Sequence, residues 1–245
     1  MISKTRRSTP MAVLGAVALQ LIFAPVPVAA DQRTENLANC NNAKQQVSTA
    51  DAISACTALI NGGTETPSSL AGIYYHLADA FSDAYNFREA VANYSKAHEF
   101  NPNLLAARSD RAASYNEVGE HQKALTDADF VIQKNPKMAP AYNNRGVALY
   151  KMGRYELAIA ALEKAISLNP KYGNPHRHMG NIHRARGDNE RALEEYNEAI
   201  RLNPKNALAF LSRADLYRAM GDTVRAEKDR ETALVARFNE FERIF

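Results

Sequence analysis

Residues 139–172 read APAYNNRGVALYKMGRYELAIAALEKAISLNPKY. Tyr142, Gly146 and Leu149 keep helical spacing, and Leu157, Ala158, Ala161, Leu162 and Ala165 do so again after Gly153. Apolar residues three and four apart mark the buried stripe of an amphipathic helix, so the stretch holds two helices. Gly153 stands where the first helix must turn sharply, because glycine enters the left-handed region without a Cβ clash. Asn169-Pro170 stops the second: proline disfavours helix at the residue before it, and asparagine tolerates a left-handed cap.

The same punctuation recurs in both directions. Asn-Pro falls at Asn101-Pro102, Asn135-Pro136, Asn169-Pro170 and Asn203-Pro204, in steps of 34 residues. Glycines fall at Gly119, Gly153, Gly187 and Gly221, and alanines at Ala90, Ala124, Ala158, Ala192 and Ala226. Two further small columns run Ala78, Ala112, Gly146, Gly180, Ala214 and Ala97, Val131, Ala165, Ala199, Ala233. Chance does not align that many columns, so the chain is an internal repeat whose unit is a helix pair. Small residues let two helices approach closely, and Ala192→Leu is expected to overpack that crossing at a cost of about 1–3 kcal/mol.

These columns resemble the tetratricopeptide repeat. Residues 71–104 supply Tyr74, Leu77, Ala78, Phe81, Ala90, Tyr94, Ala97 and Pro102, and residues 139–172 supply Tyr142, Gly146, Leu149, Ala158, Leu162, Ala165 and Pro170. The units at 105–138, 173–206 and 207–240 fit with substitutions: Arg108 and His176 replace the first aromatic, Arg230 a later one, and Phe238 stands in the proline column. The resemblance implies an all-α helix-turn-helix solenoid, a right-handed superhelix of five units over 71–240. Residues 31–70 read as a degenerate N-terminal repeat or cap, in which Ala52, Cys56 and Leu59 match second-helix columns. Residues 241–245 read as a helix extension, where Phe238, Phe241, Ile244 and Phe245 make an apolar stripe. A capping helix is the favoured reading of that stripe; self-association or a docking tail is the alternative.

Residues 1–30 differ from the rest. Lys4, Arg6 and Arg7 form a basic head, an apolar run follows from Met11 to Ala24, and Val28-Ala29-Ala30 precedes Asp31. Those are the parts of a secretory signal peptide with its cleavage site near Ala30/Asp31. The run is shorter than the about 20 residues of a membrane span, and none is expected in the mature chain. The chain has 30 basic and 27 acidic residues, and the leader holds three of the basic and none of the acidic ones. The remainder is therefore balanced, and bulk charge gives no support for nucleic-acid binding. Cys40 and Cys56, the two cysteines, read as a disulfide in an oxidising compartment, or else as two small buried thiols. The leader followed by this cysteine pair resembles exported tetratricopeptide proteins of alphaproteobacteria, which places the protein in the periplasm or outside the cell.

In the family, the first helix of each pair lines the concave side. That resemblance puts Tyr75, Asp79 and Asp83 in the first groove unit, Asn116 and Glu117 in the second, and Asn143, Tyr150 and Lys151 in the third. Arg177, Asn181 and Arg184 follow in the fourth, and Arg218 in the fifth. Asparagine both donates to and accepts from a peptide backbone, and arginine offers a planar fork to carboxylates. The groove is acidic near its start (Asp79, Asp83, Glu117) and basic towards its end (Lys151, Arg177, Arg184, Arg218). Such an order would set specificity and on-rate for an extended partner. His176 and His183 stand in columns held by Tyr or Phe in sister units and read as packing substitutes. No phosphate-cradling glycine loop or nucleophile elbow occurs, and no cofactor or metal is expected. The reading is a non-enzymatic protein–protein interaction scaffold in the envelope, binding a peptide or protein segment. The alternative is a holding chaperone for unfolded exported clients.

Overall fold

The computed structural model describes residues 28–42 and 47–241, with side chains described from Asp31 to Asn42 and from Val47 to Ala236. The signal-peptide reading falls mainly outside the described residues. So does the C-terminal stripe, for Ile244, Phe245 and the side chains of Phe238 and Phe241. Twelve helices follow one another among the described residues: α1 Val28–Asn41, α2 Thr49–Gly62, α3 Pro67–Asp83, α4 Phe87–Phe100, α5 Leu105–Glu117 and α6 His121–Lys134. They continue as α7 Ala139–Lys151, α8 Tyr155–Leu168, α9 Gly173–Ala185, α10 Asn189–Leu202, α11 Ala207–Ala219 and α12 Thr223–Phe241. Each helix packs on the next. The odd-numbered ones also meet across the junctions α1–α3, α5–α7, α7–α9 and α9–α11, so they share one layer.

The turns inside the pairs are set by the glycine column. Gly119, Gly153, Gly187 and Gly221 have φ of +82°, +76°, +80° and +84°. After each, the next N–H reaches back to the carbonyl five residues earlier, as in Glu120 N to Tyr115 O at 2.9 Å and Asp222 N to Tyr217 O at 2.8 Å. In the first groove unit Tyr85 takes this place at φ +61°.

The turns between pairs depart from the sequence expectation. Asn101, Asn135, Asn169 and Asn203 do not cap in the left-handed region; their φ values lie between −138° and −142°, in extended backbone. Each instead accepts, through Oδ1, the backbone N–H two residues on, at 3.1–3.2 Å. The asparagine is used for its short acceptor, which mimics a turn of backbone.

Burial follows the small columns. Ala78, Ala90, Ala112, Ala124, Ala158, Ala192 and Ala226 are all 0% exposed. Gly146 and Gly180 belong to one of these columns, and a Cβ on Gly180 would stand 2.6 Å from the Tyr196 ring. At the N-terminal end Cys40 of α1 and Cys56 of α2 are joined in a disulfide. The pair is buried with Leu59 against Ile73 and Leu77 of α3. The cap is therefore tied within itself and seated on the first groove unit.

Candidate functional site

The layer of odd-numbered helices carries the predicted groove residues, and side chains from distant helices meet across it. Arg177 on α9 is within electrostatic reach of Glu117 on α5, and Tyr172, just before α9, of Asp110 on α5. At the first end, Tyr75 Oη donates to Asp110 Oδ2 at 2.9 Å and Tyr94 Oη to Asp79 Oδ1 at 2.6 Å. Burial raises the Asp79 pKa to about 7; the Tyr94 hydroxyl pulls it back, while Asp110 and Asp83 push it further up. Burial also raises Asp110 and Asp83. A carboxyl that titrates near neutrality is partly protonated there, so this end is less negative than its aspartates imply.

Asn116 and Asn143 are buried at the α5–α7 junction. Asn116 Nδ2 donates to the Asn144 carbonyl at 3.0 Å, and Asn144 Nδ2 to the Ser109 carbonyl at 2.8 Å. Asn143 Nδ2 reaches Asn144 Oδ1 at 3.4 Å. Asn116 Oδ1 and Asn143 Oδ1 have no protein partner. These amides sew one unit to the next.

The basic residues divide. Arg218 is exposed and pairs with Glu227 at 2.8 Å, which cancels its charge locally. Lys151 lies exposed beside the Tyr150 ring, 5.7 Å from its centroid. Arg177 Nη2 meets His178 Nε2 at 3.1 Å, and Arg177 Nε is closed off without a hydrogen-bond partner. Burial lowers the Arg177 pKa, and burial with Arg177 and Lys151 holds His178 well below the ordinary imidazole value. Arg184 is half-buried, near enough to act on the Tyr196 hydroxyl.

One tether went unseen in the sequence. Tyr94 donates to Asp79, Tyr196 to Asn181 (2.7 Å) and Arg230 to Asp215 (2.9 Å), each from the second helix of a pair to the first, 15 residues back. The signal was there: where the second-helix column is Ala128 or Leu162, the first-helix column is Ala113 or Val147. Polar meets polar and apolar meets apolar. The substituted aromatics find polar uses of the same kind. Arg108 lies 3.6 Å over the Phe130 ring and pairs with Asp127, and His176 Nδ1 sits 2.7 Å from Glu195. His183 is buried, 9% exposed.

No group of three or more His, Cys, Asp or Glu able to hold a metal occurs among the described residues. No described helix is long and apolar enough to cross a membrane. What the described residues show is a layer of odd-numbered helices that carries side chains of both charges.

A solenoid of helix pairs with such a layer is a class of protein-interaction scaffold. Residues 139–172 match the tetratricopeptide repeat model, and residues 180–221 a second model of the same repeat. A tetratricopeptide protein from Thermus thermophilus matches in structure with a TM-score of 0.65 at 19% identity, over 71% of this chain and 94% of that one. One from Parabacteroides merdae matches with 0.60 at 22% identity, over 84% and 80%. MamA from Desulfovibrio magneticus, residues 41 to the end, matches with 0.57 at 21%, over 72% and 97%. At such identities the likeness speaks for the fold. No curated protein matches in sequence. The chain is a tetratricopeptide-repeat protein, an all-α solenoid of a family that is in general non-enzymatic and binds protein partners.

Proposed function

We propose that the protein is an adaptor of the cell envelope that holds an extended segment of one or two partner proteins against the layer of odd-numbered helices. The observation that carries this reading is the unpaired charge there. Lys151, Arg177 and Arg184 cluster on α7 and α9, and no described carboxylate forms an ion pair with any of them. Elsewhere, arginines are engaged within the fold: Arg111 with Asp127, Arg145 with Asp129 and Arg213 with Asp229. The Cys40–Cys56 disulfide and the basic, apolar leader support export to an oxidising compartment.

A photo-crosslinking residue at position 184 tests the reading in intact cells, with position 186 as control. Arg186 is exposed and paired with Glu156 at 2.6 Å. One or two dominant envelope proteins captured at 184 alone is the expected result. A broad spread of unrelated clients would replace the adaptor with a holding chaperone, and equal capture at both positions would remove the groove.

A further inference from the structure

Several half-buried arginines in this chain are matched with carboxylates. Arg108 and Arg111 share Asp127, and Arg213 grips Asp229 through Nε and Nη2. Arg177 departs from that pattern. Its Nη2 meets only a neighbouring imidazole, and its Nε has no partner and no access to solvent. His178 offers no opposing charge: an imidazole is neutral or cationic, and burial with the nearby Arg177 and Lys151 disfavours the cation. A guanidinium taken partly out of water costs free energy unless a carboxylate takes up its planar fork.

Building on the reading of this layer as a protein-binding surface, we infer that Arg177 is the seat of an acidic side chain, Asp or Glu, carried by a segment that threads past α9. The layer continues on both sides of Arg177, to α7, which carries Lys151, and to α11, which carries Leu208, so a segment running along it meets both helices. Leu208 is 51% exposed and gives the passing chain an apolar contact beyond the charge. Lys151 adds a second positive charge at the same place, because its field reaches His178. Asn181, one turn along α9, is already engaged: its Oδ1 accepts from Tyr196 Oη. The seat thus rests on Arg177, with Lys151 strengthening the local field.

The probe is an acetylated and amidated hexaglutamate peptide, titrated into the full-length oxidised chain. The readouts are affinity and the nitrogen shift of the Arg177 Nε–H. The expected result is a saturating shift and an about tenfold or larger loss of affinity in Arg177→Gln, with Arg186→Gln unchanged. Hexalysine should not compete. Without peptide, Arg177→Gln should melt no lower than the parent, because it removes a desolvated charge that no carboxylate grips in an ion pair, Glu117 acting on it only from further off. Arg177→Lys keeps the charge but not the fork, and its affinity should fall between the two; it decides the question if the glutamine disturbs the helix. Equal affinity in Arg177→Gln and parent, a motionless Nε resonance, or binding that needs a free C-terminal carboxylate would overturn the inference. Capture at position 184 that ignores Arg177→Gln would sink it and leave the adaptor standing. Hexaglutamate seated at Arg177 with nothing captured in cells would do the reverse.

Discussion

Gly146 and Gly180 occupy one column of the repeat, yet their neighbours differ in how far they can give way. A Cβ at 180 would lie 2.6 Å from a Tyr196 ring that is 0% exposed and tied through its hydroxyl to Asn181. A Cβ at 146 would lie 2.7 Å from Cγ and Cδ2 of Leu162, which is also 0% exposed but has no hydrogen bond to hold it, and 3.2 Å from the Ala158 carbonyl oxygen. Alanine gains about 1 kcal/mol of helix propensity over glycine at either site. Gly180→Ala is therefore expected to lose about 1–3 kcal/mol by overpacking, and Gly146→Ala to lose less, since the aliphatic side chain can shift where the tethered ring cannot. Urea unfolding of the two variants checks the order; equal losses would show that the tyrosine is not rigidly held. Asp79 makes a second residue-scale case. Its folded pKa of about 7 lies above the roughly 4 of an unfolded aspartate, so the folded chain binds the proton more tightly. The stability this contributes is full below about pH 4 and is lost as pH rises through about 7. Asp79→Asn, which keeps an acceptor for Tyr94, should flatten the fall in melting temperature between those pH values. A carboxyl carbon titration of Asp79 with a midpoint below pH 5 would refute the assignment.

At the scale of elements, the cap α1–α2 depends on one covalent link. Cys40 and Cys56 are 16 residues apart, and both are buried beneath α3. Closing a loop of that size contributes about 3 kcal/mol in the chain-entropy model. Replacing both cysteines with alanine should speed amide exchange in α1 and α2 while leaving α9 and α10 as they were. Unchanged exchange in the cap would mean that its packing on Ile73 and Leu77 suffices without the bond. The helices themselves were plain in the sequence because each boundary is fixed locally: a glycine at φ near +80° ends one, an Asn-Pro the other. The conformation at Asn-Pro differs from the sequence expectation, for a reason of the same kind. Asparagine can enter the left-handed region or can accept from the backbone two residues on, and local sequence does not rank those options. Tyr85 is the converse case, a bulky residue placed where the sister units have glycine and held at φ +61° by the same end-of-helix bonding.

At the scale of the whole molecule, the helices that carry the expected groove residues were legible in the sequence, but the pairing of their charges was not. Which column faces the layer follows from the period; which charges survive there depends on partners that period does not name. Asp215 is paired with Arg230, Arg218 with Glu227, and Asp79 is partly neutralised by its own burial. The basic residues of the layer that form no ion pair, Lys151, Arg177 and Arg184, lie on α7 and α9. How firmly the solenoid holds that shape follows from its connectivity. Among the described residues, the packing contacts of note join helices that are neighbours or next neighbours in the chain. Stability in such an array is nearly a sum of unit and nearest-interface contributions, so damage stays near its source. Gly180→Ala strikes at the α9–α10 crossing, and its cost should fall on α9, α10 and the pairs that touch them, α7–α8 and α11–α12. Hydrogen exchange followed by mass spectrometry reads this directly. Protection should drop over residues 139–236 and stay at the parent level in α1–α4. Loss of protection spreading evenly to the cap would mean that the chain unfolds as one cooperative body. In that case a segment bound at Arg177 would be felt at the disulfide-tied end as well.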